Sequence, residues 1–197
     1  EGLLLSRLTR FTERQNTLTQ NQLGTRPRRQ THDAIYCLLS NIQFNQMYVK
    51  KPTYIAFLDY TTAFPSVHRE RLLQILHDTG VTGKMWTHLK ARFTSVHIRV
   101  LHPGIRTSKS VEILRGLPEG SRLSPTLFGI FVADLIHTLR RKFPNSTISG
   151  TGGGLWIGGI LYVDDLCLIS SDPDELQQMI HECRRWSEAA RLQINAE

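Results

Sequence analysis

The sequence predicts an α+β fold, a small antiparallel sheet backed by helices, and three observations predict it. "TYIAFLDY" (53–60) is a β-rich run that ends on a carboxylate. "ILYVDDLCLIS" (160–170) has strand character on both sides of a tight acidic turn. Two long segments, 124–143 and 171–192, carry apolar residues at helical spacing. With 197 residues, 40% hydrophobic and 21% charged, the chain can bury one sizeable core.

Taken in order, Thr53 to Tyr60 is a strand with Asp59 at its carboxyl end. Pro65 forces Phe64 into an extended conformation. Ser66 then caps a helix whose Leu72, Leu73, Ile75 and Leu76 make an apolar face and whose Gly80 ends it. "VHIRVLHPGIRTSKSVEIL" reads as two strands around the turn "HPGI". Ser124 and Pro125 are N-cap and first-turn signals for a mostly buried helix. "SGTGGGLWIGG" lacks the lysine and following hydroxyl of a phosphate-binding loop and reads as a connector. Asp172, Pro173 and Glu175 give the last helix a capping-box-like start, with Leu176, Met179, Ile180, Cys183 and Trp186 as its buried stripe. No internal repeat or domain linker is evident.

The charge pattern points to an anionic partner. The formal net charge is +7 and the pI near 9.7. From Lys84 to Arg115 seven basic residues face Glu112 alone, and from Arg7 to Arg29 six arginines face Glu13 alone. From Asp164 onward the balance reverses, with eight acids against Arg184, Arg185 and Arg191. A basic surface around an acidic centre suits an enzyme that grips phosphates broadly and holds metal locally; solvated helix faces are the plainer reading.

"LFGIFVADLI" is half a membrane span and is broken by Asp134, so no transmembrane helix and no membrane partner are expected. Cys37, Cys167 and Cys183 fit neither a disulfide framework nor a zinc site, which favours a reducing, intracellular setting, nuclear or cytoplasmic. "EGLLLSRL" has no basic leader or cleavage site and is not expected to be a signal peptide. The chain begins without Met and stops at "LQINAE"; it is expected to be a piece of a longer protein.

The sharpest feature is "LYVDDLCL" (161–168), two carboxylates in an apolar run with no Lys or Arg within ten residues on either side. Buried charge needs a partner. An antiparallel sheet can lay the strand end carrying Asp59, 105 residues away, beside Asp164 and Asp165. At about 4 Å each like-charge pair costs roughly 1 kcal/mol in water and about 4 at an effective dielectric near 20. Hard oxygen ligands are what Mg²⁺ prefers, with substrate phosphates completing its shell. Carboxylates, basic walls and an anionic polymer together imply phosphoryl or nucleotidyl transfer with two metal ions.

These blocks resemble, in order and over nearly the whole chain, the fingers and palm of a reverse transcriptase of the non-LTR retrotransposon and group II intron kind. "EGLLLSRL" resembles the first fingers motif. "QNQLGTRPRRQTHDAI" is similar to the family's QxGFRPGRSTxDAI block, "AFLDYTTAFPSVHRERLL" to its first palm motif, and "RGLPEGSRLSPTLFGIFVADL" to its GxPQGSxLSPxLFxxxxxDL block. "YVDD" matches the YxDD turn, and "WSEAARLQIN" the motif after it. Departures are Thr25 for Phe, Arg28 for Gly, Gln30 for Ser, Pro65 for Asp and Glu119 for Gln.

The resemblance implies fingers over 1–52 and 67–122, a palm over 53–66 and 123–197, and a thumb outside this chain. It implies RNA-directed DNA synthesis with two Mg²⁺ ions, or Mn²⁺ in their place, on an RNA template, a DNA primer and deoxynucleoside triphosphates. Asp59, Asp164 and Asp165 would be the catalytic carboxylates and metal ligands, with the Tyr60 backbone carbonyl close to the triphosphate-bound ion. Phe64 would be the gate that excludes a ribose 2′-hydroxyl, which disfavours an RNA polymerase. Arg26, Glu119 and Gly120 would face the nucleotide; Gly116, Leu117, Pro118, Tyr162 and Val163 would lie near template and primer. Plainer readings stand beside these: Phe64 as core, Arg26 as a surface charge in a Pro27 turn, Tyr162 as packing, Asp134 as structural. The alternative function is a catalytically inactive RNA-binding domain of the same descent.

Overall fold

The computed structural model describes residues 1–94, 96–101, 108–144, 146–148 and 155–195. Helix α1 (Gly2–Arg14) leads through an extended loop to α2 (Thr31–Phe44), which runs into a π-helical turn at Asn45–Val49. Then follow β1 (Tyr54–Leu58), β2 (Tyr60–Thr61), the one-turn α3 (Ala63–Ser66), α4 (Arg69–Asp78) and α5 (Gly83–Phe93). The ribbon β3 (Val96–Ile98) and β4 (Val111–Ile113) precedes the long α6 (Ser124–Lys142). The chain closes with β5 (Thr147–Ile148), β6 (Leu155–Trp156), β7 (Gly159–Tyr162), β8 (Asp165–Ser170), α7 (Pro173–Ala190) and β9 (Gln193–Ile194).

The central sheet is antiparallel, ordered β1-β8-β7, and its register sorts the side chains between two faces. Tyr54 pairs with Ser170 and Leu58 with Leu166. Strand alternation therefore puts Ala56, Leu58, Leu166 and Leu168 on one face, within the main core formed with α4, α6 and α7. Ile55, Phe57, Cys167 and Ile169 lie on the other, where Leu23, Ala34, Leu38 and Ile160 form a smaller cluster under α2. Helix α6 is apolar nearly all round and buried along most of its length, the behaviour of a central core helix. Leu8, Leu72, Leu127, Leu168 and Leu192 belong to one cluster, so the segments read as fingers and palm share a core.

Several local expectations need correction. Phe64 is helical, not extended, because Pro65 lies within the single turn of α3, where its missing N–H removes no helix bond. Ser66 ends that turn, and His68 caps α4, its Nδ1 accepting from the Arg71 N–H at 3.4 Å. Ser124 is already inside α6, whose N-cap is Leu123, and its Oγ donates to the Pro118 carbonyl at 2.7 Å. Asp172 does cap α7, accepting from the N–H groups of Asp174 and Glu175. Glu175, however, accepts from Ser146 and Ser170 and makes no reciprocal cap bond. The turn "HPGI" and most of the glycine-rich run, residues 149–154, lie outside the described residues. Among the described residues no helix is long and apolar enough to cross a membrane.

Candidate active site

The ladder between β1 and β8 ends at Leu58 and Leu166, so one step further in the same register Asp59 falls opposite Asp165. Tyr162 pairs with Asp165 across β7 and β8, which leaves Val163 and Asp164 as a two-residue hairpin loop. Three carboxylates separated by 105 residues are thereby gathered at one end of the sheet. Asp59 and Asp165 are exposed and Asp164 is half-buried. Burial chiefly pushes the Asp164 carboxyl above its ordinary range, opposed by a hydrogen bond from its own main chain and reinforced by repulsion from Asp165 and Asp59. Among the described residues none of the three forms an ion pair with a cation.

The turn itself is strained. Val163 has φ +61°, the left-handed region that a β-branched side chain rarely adopts, at the first central position of a two-residue hairpin where glycine is usual. A strap from the amino-terminal loop holds it. Leu161 donates its N–H to the Asn21 carbonyl at 2.9 Å and Leu23 donates to the Leu161 carbonyl at 2.8 Å, extending the sheet edge beside β7. Asn21 Nδ2 donates to the carbonyls of Trp156 and Gly159, and Gln22 Nε2 to that of Gly129. Gly24 lies so close that a Cβ built on it would sit 2.3 Å from the Val163 nitrogen. The family-like "QLG" stretch is thus the seat of the acidic turn.

On the other side, Phe64 rests against Phe128, ring centroids 5.0 Å apart, and its carbonyl accepts the Leu117 N–H at 2.8 Å. Gly116 and Leu117 are buried, while Glu119 and Gly120 are exposed at the loop's tip. Gly116 and Gly120 have φ of +88° and +75°. No ion pair links Glu119 to Arg115 or Arg122. The Tyr60 side chain is buried, and its phenol oxygen accepts from Ser187 Oγ at 3.3 Å; burial raises its pKa. Its main chain pairs with Ile194 of β9, and Asn195 donates to the Asp59 carbonyl at 2.8 Å.

Arg26 is placed differently from an open cation. Its guanidinium makes a two-pronged pair with Glu13, at 2.8 and 2.7 Å, and donates to the Thr19 carbonyl at 2.7 Å. The hydrogen bond from Arg26 in turn lowers the Glu13 carboxyl pKa. Arg26 is therefore a buckle between α1 and the strap, its side chain only 11% exposed and its charge paired with Glu13.

Residue-level reading missed Arg69, which is buried yet, among the described residues, hydrogen-bonded only to main-chain carbonyls. Its signal was available: Arg69 shares the buried stripe of α4 with Leu72 and Leu76, a charge on the apolar side of a helix.

The whole chain, residues 1–197, matches the family described as reverse transcriptase (RNA-dependent DNA polymerase). The chain belongs to the reverse transcriptase family. Among curated relatives, this reverse transcriptase domain is 26% identical over 206 residues to the RNA-directed DNA polymerase from mobile element jockey of Drosophila funebris, covering 100% of this chain and 21% of that protein. It is also 26% identical over 137 residues to the retrovirus-related Pol polyprotein from type-1 retrotransposable element R2 of Popillia japonica, covering 66% of this chain and 22% of that protein. The chain thus spans about a fifth of these relatives' length. Telomerase from Candida tropicalis in complex with a fragment of telomeric RNA has the same fold, at a TM-score of 0.71 and 10% identity over 98% of this chain and 32% of that one. The apo enzyme of that organism truncated from its C-terminal domain gives 0.68 at 12% identity, covering 98% of this chain and 38% of that one.

The three carboxylates at the sheet end offer hard oxygen donors, the kind that hold Mg²⁺. The raised Asp164 carboxyl is what a cation would relieve, so the donors fit such an ion in kind. Among the described residues they do not converge into a ready three-ligand cage.

Proposed function

We propose that this domain carries out RNA-directed DNA synthesis, extending a DNA primer on an RNA template with deoxynucleoside triphosphates. The observation that carries the reading is the β1–β8 ladder, which ends at Leu58 and Leu166 and so brings the next residues, Asp59 and Asp165, to the sheet end where Asp164 stands in the β7–β8 turn. Asp59 and Asp164 would hold divalent ions, with Asp165 and the Tyr60 carbonyl beside them. When bound, such ions supply Lewis-acid stabilisation of the charge that develops in nucleotidyl transfer. The chain's own residues orient and select. Phe64, backed by Phe128, presents a ring where a ribose 2′-hydroxyl would need room. The 116–120 loop shapes the nucleotide side, and Tyr162 and Val163 the primer side. Arg26 reaches the triphosphate only by exchanging Glu13 for a phosphate, which keeps its charge paired.

The test uses the full-length protein on a primed RNA template with Mg²⁺. Asp59→Asn is expected to lower extension by about 10²–10³-fold or more while leaving template binding near wild type. Wild-type extension in that variant would remove Asp59 from the chemistry. Template binding that survives EDTA, with no extension by the unmodified protein, would select the RNA-binding alternative.

A further inference from the structure

We propose that Arg69 is a positioning residue that sets sugar selection by locking the 116–120 loop to the Phe64 turn. This rests on the polymerase reading above. The two parts meet through main-chain bonds, Gly116 donating to the Val67 carbonyl and Leu117 to the Phe64 carbonyl, each at 2.8 Å, and Leu117 is buried in the same cluster as Ala63 and Val67. The fit leaves no slack, since a Cβ on Gly116 would lie 2.6 Å from the Pro65 carbonyl oxygen. Ser124 Oγ, donating to the Pro118 carbonyl at 2.7 Å, ties the middle of the loop to α6. Arg69 ties the start of the loop from behind. Its Nε donates to the Gly116 carbonyl at 2.7 Å and its Nη1 to the Ile113 carbonyl at 2.5 Å.

The choice of residue is informative. Arg69 is 6% exposed, and among the described residues it forms no ion pair. Burial without a counter-charge is costly, and an apolar residue on this stripe of α4 would avoid it. What arginine adds is a rigid planar fork that reaches two carbonyls three residues apart; a lysine ammonium is a point donor and cannot hold both in one geometry. The fork runs from the first turn of α4, directly after the Phe64 turn, to the strand end that launches the loop. It therefore fixes the distance between the ring that screens the sugar and the loop on the nucleotide side.

The experiment compares Arg69→Lys and Arg69→Met in the full-length protein. The readout is the ratio of kcat/KM for a deoxynucleotide to that for the matching ribonucleotide, with melting temperature measured alongside. The expected order of preference is wild type, then Lys, then Met, with a loss of about tenfold in Met. An unchanged ratio in both variants, whatever their melting temperatures or overall rates, would overturn the proposal, because general destabilisation lowers both substrates alike. A second arm needs no activity: trypsin should cut after the exposed Arg115 several-fold faster in Arg69→Met. Unchanged cleavage there would overturn the locking itself. If the unmodified protein extends no primer, the polymerase reading fails, and the trypsin arm alone decides whether Arg69 holds the loop.

Discussion

Asp164 stands in a strained turn where burial and two neighbouring carboxylates all act on its carboxyl in the same direction. A carboxyl whose folded-state pKa is raised binds its proton more tightly when folded, so its stabilising contribution is present at low pH and is lost as pH rises through the raised value. At neutral pH the ionised form is therefore a burden on the fold. Asp164→Asn is expected to abolish extension and yet raise the melting temperature slightly at pH 7. That advantage should vanish as pH falls toward the ordinary carboxyl value of 3.8, where the wild-type group is protonated. Thermal scans at pH 7 and pH 4 check this; an equal gain at both would assign the effect to packing. Glu119 is the second residue whose sign can be argued. An ionised glutamate only accepts hydrogen bonds, whereas the family's glutamine also donates, and neither Arg115 nor Arg122 pairs with it. One unit charge against another at roughly 6 Å and a dielectric near 20 costs about 3 kcal/mol, but Glu119 is exposed and solvent screening cuts this steeply. Glu119→Gln should lower the KM for deoxynucleotides by about two- to tenfold in steady-state extension. A raised or unchanged KM would mean that the side chain does not face the nucleotide.

The strap from Asn21 to Gly24 and the β7–β8 hairpin act as one element, because each holds the other's main chain. Gly24 has no left-handed φ, so alanine is permitted by its backbone and the obstacle is steric: the Val163 nitrogen at 2.3 Å, the Val163 Cγ2 at 2.8 Å and the Tyr162 carbonyl carbon at 3.0 Å. Gly24→Ala is thus a clean steric probe. It should cost about 1–3 kcal/mol by urea unfolding, as overpacking does. Gly2→Ala, with nothing within 4 Å, should be neutral or mildly stabilising. A Gly24→Ala protein as stable as wild type would mean that the strap does not sit on the turn. This element also shows what the sequence reveals and what it conceals. Helix α7, helix α6 and the acidic hairpin were legible because periodicity, caps and turn chemistry are written in neighbouring residues. The acidic pairing of Asp59 with the hairpin was legible because uncompensated charge in an apolar run demands an explanation. The strap and the partners of Arg69 were not, since both recognise main-chain carbonyls 44 to 138 residues away, and a carbonyl carries no residue identity. Phe64 went astray for a related reason: the local rule for a residue before proline yielded to the packing of its ring on Phe128.

Over the whole molecule the two signs of charge are handled differently. Acids of the carboxyl-terminal part are largely satisfied within the protein: Glu182 pairs with Lys142 and Arg185, Glu188 with Arg184, Glu175 holds two serines, and Asp172 caps α7. Many basic groups are not. Arg7, Arg10, Arg14, Arg28, Arg29, Lys84, Arg99, Lys109 and Arg115 are exposed and outside every ion pair among the described residues. A protein with a net charge of +7 whose acids are mostly occupied presents positive potential to an approaching strand. If about five of these groups meet phosphates, binding to single-stranded RNA should weaken by about a hundredfold between 50 and 200 mM salt, from a slope of about −0.7 per contact. Arg28→Gln with Arg29→Gln should flatten that slope by up to about 1.4 if both touch the strand. Lys142→Gln should leave it unchanged, because Lys142 is already engaged with Glu182 at 2.8 Å. Fluorescence anisotropy across the salt series separates these cases. A flat response in the unmodified protein would show that the exposed arginines do not grip phosphate, and a slope lowered equally by Lys142→Gln would show that the grip depends on net charge, not on where the charges stand.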